Sequence, residues 1–196
     1  QSQIIENMQA SLQHRGPDSR GAWGSKEDKI TFIHTRLSII DLSKTGHQPM
    51  HSSCGRYIIT FNGEIYNHLE LRKLLKSYKQ KFYWKGSSDT ETIVECFSML
   101  GIDKTLSLLR GMFSFSVYDR KHKKIYLIRD RYGEKPLYFL KLENNVFAFA
   151  SEISSFSKIP SFSPSIDLNG MACYFQRGYI AAPLSIWKNV KKIMPG

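Results

Sequence analysis

Apolar residues recur along the chain with two periods, and the switches between them outline the elements. Ile4, Ile5, Met8 and Leu12 share one helical face, and the pattern stops at Gly16-Pro17, a pair that breaks helices. Alternating runs at 30–34 and 57–61 predict strands. Two helices with clear start signals follow. Asn67 stands three residues before Glu70, ahead of Leu71, Leu74, Leu75 and Tyr78. Ser88 stands three before Glu91, ahead of Ile93, Val94, Phe97 and Leu100, with Gly101 as the stop. Both are capping-box spacings, in which side chains satisfy the free amides of a first turn. From residue 112 the period shortens to two: Phe113, Phe115 and Val117 alternate with Ser114, Ser116 and Tyr118. Runs at 125–128, 137–140 and 146–150 are separated by polar turns, one of them at Asn144-Asn145. Tight polar turns between short strands predict antiparallel hairpins. Strands, then helices, then strands predict an α+β layered domain. Beyond about residue 155, Ser/Pro-rich 157–165 reads as a linker, and Asp167 as the cap of a short helix through Phe175.

Composition changes this picture little. Of the 196 residues, 41% are hydrophobic and 23% charged, which supports an ordinary core and excludes a disordered chain. No run approaches the roughly 20 apolar residues of a bilayer span, so no membrane partner is expected. The chain starts at Gln1 rather than a methionine, as an internal piece of a longer polypeptide would. Three cysteines at wide spacing argue against a disulfide framework and fit a reducing, cytoplasmic compartment. No CxxC, HxxH or HExxH spacing supports a metal site. The net charge of +11 raises the question of an anionic partner. Arg72, Lys73, Lys76, Lys79, Lys81 and Lys85, interleaved with Tyr78, Phe82, Tyr83 and Trp84, have the composition of a single-strand nucleic-acid surface. The lysines of 71–78 nevertheless fall largely opposite an apolar face, as on any solvated amphipathic helix, so nucleic acid is not the expected partner.

Three places carry candidate chemistry. Asn62-Gly63 follows an alternating strand; such a pair makes a plain hairpin turn or, with an amide donor beside approachable backbone, an oxyanion hole. Taken alone, the segment favours the turn. Arg36 is a lone cation beside an apolar run, either a strand-end surface residue or a bidentate carboxylate clamp. Asp89, just inside the Ser88 cap, either complements the helix dipole or receives an ammonium group.

Taken together, the segments resemble the glutaminase domain of glutamine-hydrolysing asparagine synthetases, the class-II glutamine amidotransferases. The matching strings occur in the family's order. They include His14-Arg15-Gly16-Pro17-Asp18-Ser19, Thr35-Arg36-Leu37-Ser38-Ile39-Ile40-Asp41, Gly46-His47-Gln48-Pro49-Met50 and Phe61-Asn62-Gly63-Glu64-Ile65-Tyr66-Asn67. Ser88-Asp89-Thr90-Glu91, Gly111-Met112-Phe113-Ser114-Phe115, the run from Arg129-Asp130-Arg131 to Leu137-Tyr138, and Phe149-Ala150-Ser151-Glu152-Ile153 follow.

The resemblance implies a four-layer αββα sandwich of the N-terminal-nucleophile hydrolases over 1–156. It implies that 157–196 links to the start of an ATP-dependent synthetase domain of the same polypeptide. It also implies roles. Arg36 would hold the glutamine carboxylate, with backbone of Leu37, Ser38, Ile39 and Ile40. Asn62 and Gly63 would form the oxyanion hole, and Glu64 and Asp89 would take the ammonium. No cofactor is expected in this domain; ATP and magnesium would serve the synthetase half, and the family admits a homodimer. The family's nucleophile, an N-terminal cysteine, has no match among Cys54, Cys96 and Cys173. The expected activity is glutamine hydrolysis feeding ammonia to amidation of aspartate or a related carboxylate, as in asparagine synthesis or in polysaccharide and antibiotic pathways. The alternative is a non-catalytic glutamine-binding domain.

Overall fold

A computed structural model describes residues 2–78, 82–142 and 146–196. Lys79, Lys81 and the turn expected at Asn144-Asn145 lie outside the described residues. The chain runs α1 (Ser2–Ser11), β1 (Ser19–Ser25), β2 (Ile30–Arg36), β3 (Met50–His51), β4 (Tyr57–Ile65), α2 (His68–Tyr78), α3 (Asp89–Leu100) and α4 (Ile102–Leu108). It continues through β5 (Gly111–Asp119), β6 (Lys124–Arg129), β7 (Tyr138–Lys141), β8 (Phe147–Ala150), a 3-10 helix (Ile153–Lys158), α5 (Leu168–Arg177) and β9 (Val190–Lys192). Every strand pair is antiparallel, in sheets ordered β1-β2, β3-β4-β5-β6 and β8-β7-β9.

The central strand pair β4–β5, joined through α2, α3 and α4, runs without interruption from Tyr57↔Asp119 to Ile65↔Gly111. Because strand side chains alternate between faces, Tyr57, Ile59, Phe61 and Ile65 join Phe113, Phe115 and Val117 in one buried cluster with Leu71, Leu75, Ile93 and Phe97 of the helices. On the opposite face Ile58 and Tyr118 meet Phe32 of β2, with Trp23 and Phe149 packed alongside. Two layers of sheet therefore stack, α2 and α3 covering one outer side and α1 lying against β2 and the 153–158 helix on the other. This is the expected α+β sandwich.

Differences from the sequence reading have local causes. Ser88 caps α3 as predicted, its Oγ accepting from Glu91 N at 3.2 Å, but the Glu91 carboxylate turns to Lys85 N, Gly86 N and Arg72. Asn67 does not cap α2 with its side chain. Its Nδ2 donates to Leu108 O and its Oδ1 accepts from Arg110 N, tying the α4–β5 junction to the start of α2. The stretch 157–165 is not a free linker: Ile159 and Phe162 pack against Leu140, Phe156 and Val190, and β9 adds an edge to β7. Asp167 caps α5, accepting from Asn169 N and Gly170 N. Arg72 is drawn out of the basic run, its guanidinium pairing with Glu91 and lying 4.0 Å over Trp84.

Candidate active site

Between the sheet layers lies a cavity of about 780 Å³. The far half of the β4–β5 strand pair forms its floor, with Thr60, Asn62, Glu64, Ser114 and Ser116. Arg36 and the chain after β2 form one wall, the first turn of α3 another, and α1 and β8 the remainder.

Asn62 and Gly63 are not in a turn. They sit inside β4, paired with Ser114 and Phe113, so the hairpin-turn reading of this segment is wrong. Continuous pairing through Ile65 leaves no loop there. Gly63 has φ 154°, and a Cβ on it would collide with the Met112 carbonyl oxygen and the Phe113 backbone. The close approach of β5 therefore demands glycine. Asn62 Nδ2 is buried and has no hydrogen-bond partner among the described residues. Leaving a buried donor unmade costs roughly 1–3 kcal/mol, and this amide can meet that need by donating to an acceptor in the cavity.

Arg36 ends β2. Its Nη1 donates to Ser43 O at 2.8 Å and its Nη2 to Asp41 O, using two of five N–H donors. Gly46 lies against the guanidinium so closely that a Cβ there would strike it. Asp41 organises this loop. Its carboxylate accepts from Ser43 N at 2.8 Å, Ser43 Oγ at 2.6 Å, Thr45 Oγ1 at 3.0 Å and Ser87 N at 2.9 Å. Burial works to raise its pKa, but these hydrogen bonds outweigh burial and hold the carboxyl well below the usual range.

Leu37, Ile39 and Ile40 line the cavity; Ser38 does not. Ser38 N donates to Asp18 Oδ2 at 2.7 Å, in a separate recess beside Arg36 and His47. Asp89 lines the cavity and is buried: one carboxylate oxygen accepts from Ile65 N at 2.9 Å, the other from Thr90 N at 2.8 Å. Burial raises its pKa against these two bonds. Arg36, Leu37, Ile39, Ile40, Asn62, Gly63, Glu64 and Asp89 thus share one cavity.

Two lining residues escaped the sequence reading. His34 follows Phe32 by two on β2, a period-two signal for the inner face that the sequence did carry. Burial first, then the charges of Arg36 and His47, push its pKa down to about 4, so it is neutral near pH 7. Gln48, 6% exposed, had no such signal. Among the described residues no cysteine lines the cavity, and no three His, Cys, Asp or Glu side chains cluster closely enough for a metal ion. Burial pushes the Cys96 thiol up to about 12, as for an inert core residue.

A cation, two carboxylates and an unpartnered neutral donor around one cavity suit an amino acid bearing a side-chain carbonyl. The fold recurs in solved structures. Glutamine phosphoribosylpyrophosphate amidotransferase of Bacillus subtilis superposes with a TM-score of 0.66 over 84% of this chain and 42% of that one, at 19% identity. The likeness shows a shared sandwich fold. More narrowly, the chain belongs to the glutamine amidotransferase domain family, which matches residues 1–196. Asparagine synthetases (glutamine-hydrolysing) 3 and 1 of Bacillus subtilis are each 34% identical to it over 100% of this chain. The chain spans 31% and 30% of their respective lengths. It is homologous to glutaminase domains of asparagine synthetases. Among the described residues no helix is long and apolar enough to cross a membrane.

Proposed function

We propose that the protein containing this chain is a cytoplasmic asparagine synthetase-like enzyme that hydrolyses glutamine to glutamate and ammonia. The ammonia would serve ATP-dependent amidation of aspartate or a related carboxylate. The observation that carries the reading is the unpartnered Asn62 amide in a cavity shared with Arg36, Glu64 and Asp89. Arg36 receives the glutamine carboxylate through its remaining N–H groups, with the chain from Leu37 to Ile40 shaping that end. Glu64 and Asp89 receive the ammonium. Asn62 and the Gly63 amide stabilise negative charge on the carboxamide oxygen as a thiolate attacks the adjacent carbon.

That thiolate comes, in this reading, from a cysteine at a mature N-terminus upstream of Gln1. The terminal amine, with an unperturbed pKa of roughly 8, acts as its base. Two features support an extended segment arriving from there. β2 and β8 each have one edge without a strand partner among the described residues, and both border the cavity. The chain by itself would bind glutamine without hydrolysing it.

In this reading ATP and magnesium would serve the synthetase half. Residues 157–196 lead into that half. Exposed Leu168, Phe175, Tyr179 and Met194 support contact between this end and the remaining polypeptide.

The test is glutamate release from glutamine by the whole protein, with the mature N-terminal residue determined. Cysteine there, and loss of hydrolysis when it is replaced by alanine, are expected. A different residue would leave a glutamine-binding regulatory domain.

A further inference from the structure

Gln48 lies outside every role assigned above, yet it is the buried polar side chain nearest in bonding to the proposed oxyanion site. The ladder between β3 and β4 pairs Met50 with Ile59 and His51 with Ile58. Continued by two residues, that register sets position 48 opposite Phe61. Pro49 has no N–H, so the backbone ladder stops there. The Gln48 side chain completes it: Phe61 N donates to Gln48 Oε1 at 2.6 Å, and Gln48 Nε2 donates to Phe61 O at 3.3 Å. The same Nε2 lies 3.3 Å from Thr90 Oγ1, in the first turn of α3. One carboxamide thus grips the residue before Asn62 and the residue after Asp89.

Resting on the glutaminase reading, we infer that Gln48 is a positioning residue: its amide, standing in for a strand, fixes the aim of Asn62 toward the scissile carbonyl and holds the Asp89 turn against β4. The ladder on the β3 side of β4 would otherwise end at Ile59, leaving Phe61 N and O, which point away from β5, without partners. Asn62 Nδ2 has no hydrogen-bond partner among the described residues, so its orientation depends on the backbone that carries it. Misplacement of a catalytic group by about 1 Å can cost a hundredfold in rate.

The experiment is a double-mutant cycle in the whole protein, reading kcat and KM for glutamine together with melting temperature. Gln48→Met keeps length and bulk while removing the three hydrogen bonds. It should lower kcat about ten- to a hundredfold while changing KM much less. Added to Asn62→Ala, it should cost little further, because Gln48 acts through Asn62. Should Gln48→Met not fold, Gln48→Glu, which keeps the acceptor for Phe61 N, enters the same cycle. Full additivity with Asn62→Ala, or an unchanged kcat, overturns the positioning role and leaves Gln48 as core structure. A harmless Asn62→Ala overturns the glutaminase assignment itself, a result separate from either.

Discussion

The two halves of the β4–β5 strand pair share one register and differ in what meets their inner face. Near Ile58 and Tyr118 that face is sealed by Phe32, with Trp23 and Phe149 against it. Beyond Thr60, whose hydroxyl lies 2.6 Å from that of Ser116, the same face carries Asn62, Glu64 and Ser114 and opens on the cavity. The outer face is apolar throughout, from Tyr57 to Ile65. A continuous ladder packed on one side by helices is rigid enough to carry unpaired polar groups on the other. The site stands where pairing continues and inner packing stops.

The sharpest way to break this comparison is to truncate each half. Ile58→Ala, at a fully buried position, should cost about 2–5 kcal/mol of stability in denaturant unfolding, with turnover of the surviving folded enzyme near normal. Asn62→Ala should do the converse, lowering glutamine turnover a hundred- to a thousandfold, about 2.7–4 kcal/mol, with little change in melting. Asn62→Gly should be equally damaging, since position 62 lies within a strand and needs no turn residue. A Gly variant at the parent rate would reduce Asn62 to filler.

Arg36→Ala should weaken glutamine-dependent turnover by roughly 1.5–3 kcal/mol, the worth of a charge-assisted pair. Ammonia-dependent synthesis by the whole protein should survive, and equal loss with both nitrogen sources would mean a folding defect. Ser88→Ala, far from charge development, should cost about 1 kcal/mol of stability through the lost cap and leave turnover nearly unchanged.

His34 should set a pH dependence. Its folded pKa, about 4, lies below the 6.5 of an unperturbed histidine. Between those values the unfolded chain takes up a proton that the folded chain refuses, so stability falls as pH drops through that window. His34→Gln should flatten the acid side of a melting-temperature profile, and an unchanged slope would show that other groups dominate.

Much of this is legible in the amino-acid sequence. Alternation at Phe113, Phe115 and Val117 predicted β5 and its apolar face, because one buried face leaves a period-two trace whatever the partner. Ser88 and Asp167 predicted their caps, because that bond closes within three residues. β1 was invisible: Ser19–Ser25, with two glycines and a single tryptophan, has little strand character until β2 pairs with it. Asn67 misled for the same reason. Its spacing to Glu70 is that of a cap, but Leu108 and Arg110, about forty residues away, compete for its amide and win.

By itself, then, the sequence determined the layered α+β class, the order of helices and hairpins, and the family motifs holding Arg36, Asn62, Gly63, Glu64 and Asp89. These depend on local periodicity, short-range capping and residue identity, which the chain carries in one dimension. Only the tertiary structure decided that Asn62-Gly63 lies within a strand, that Ser38 turns toward Asp18, that β9 closes on β7, and that Gln48 completes the ladder at Phe61. Each of those outcomes is a contest among distant partners for a backbone or side-chain hydrogen bond. Register settles it, and register exists only once the strands meet.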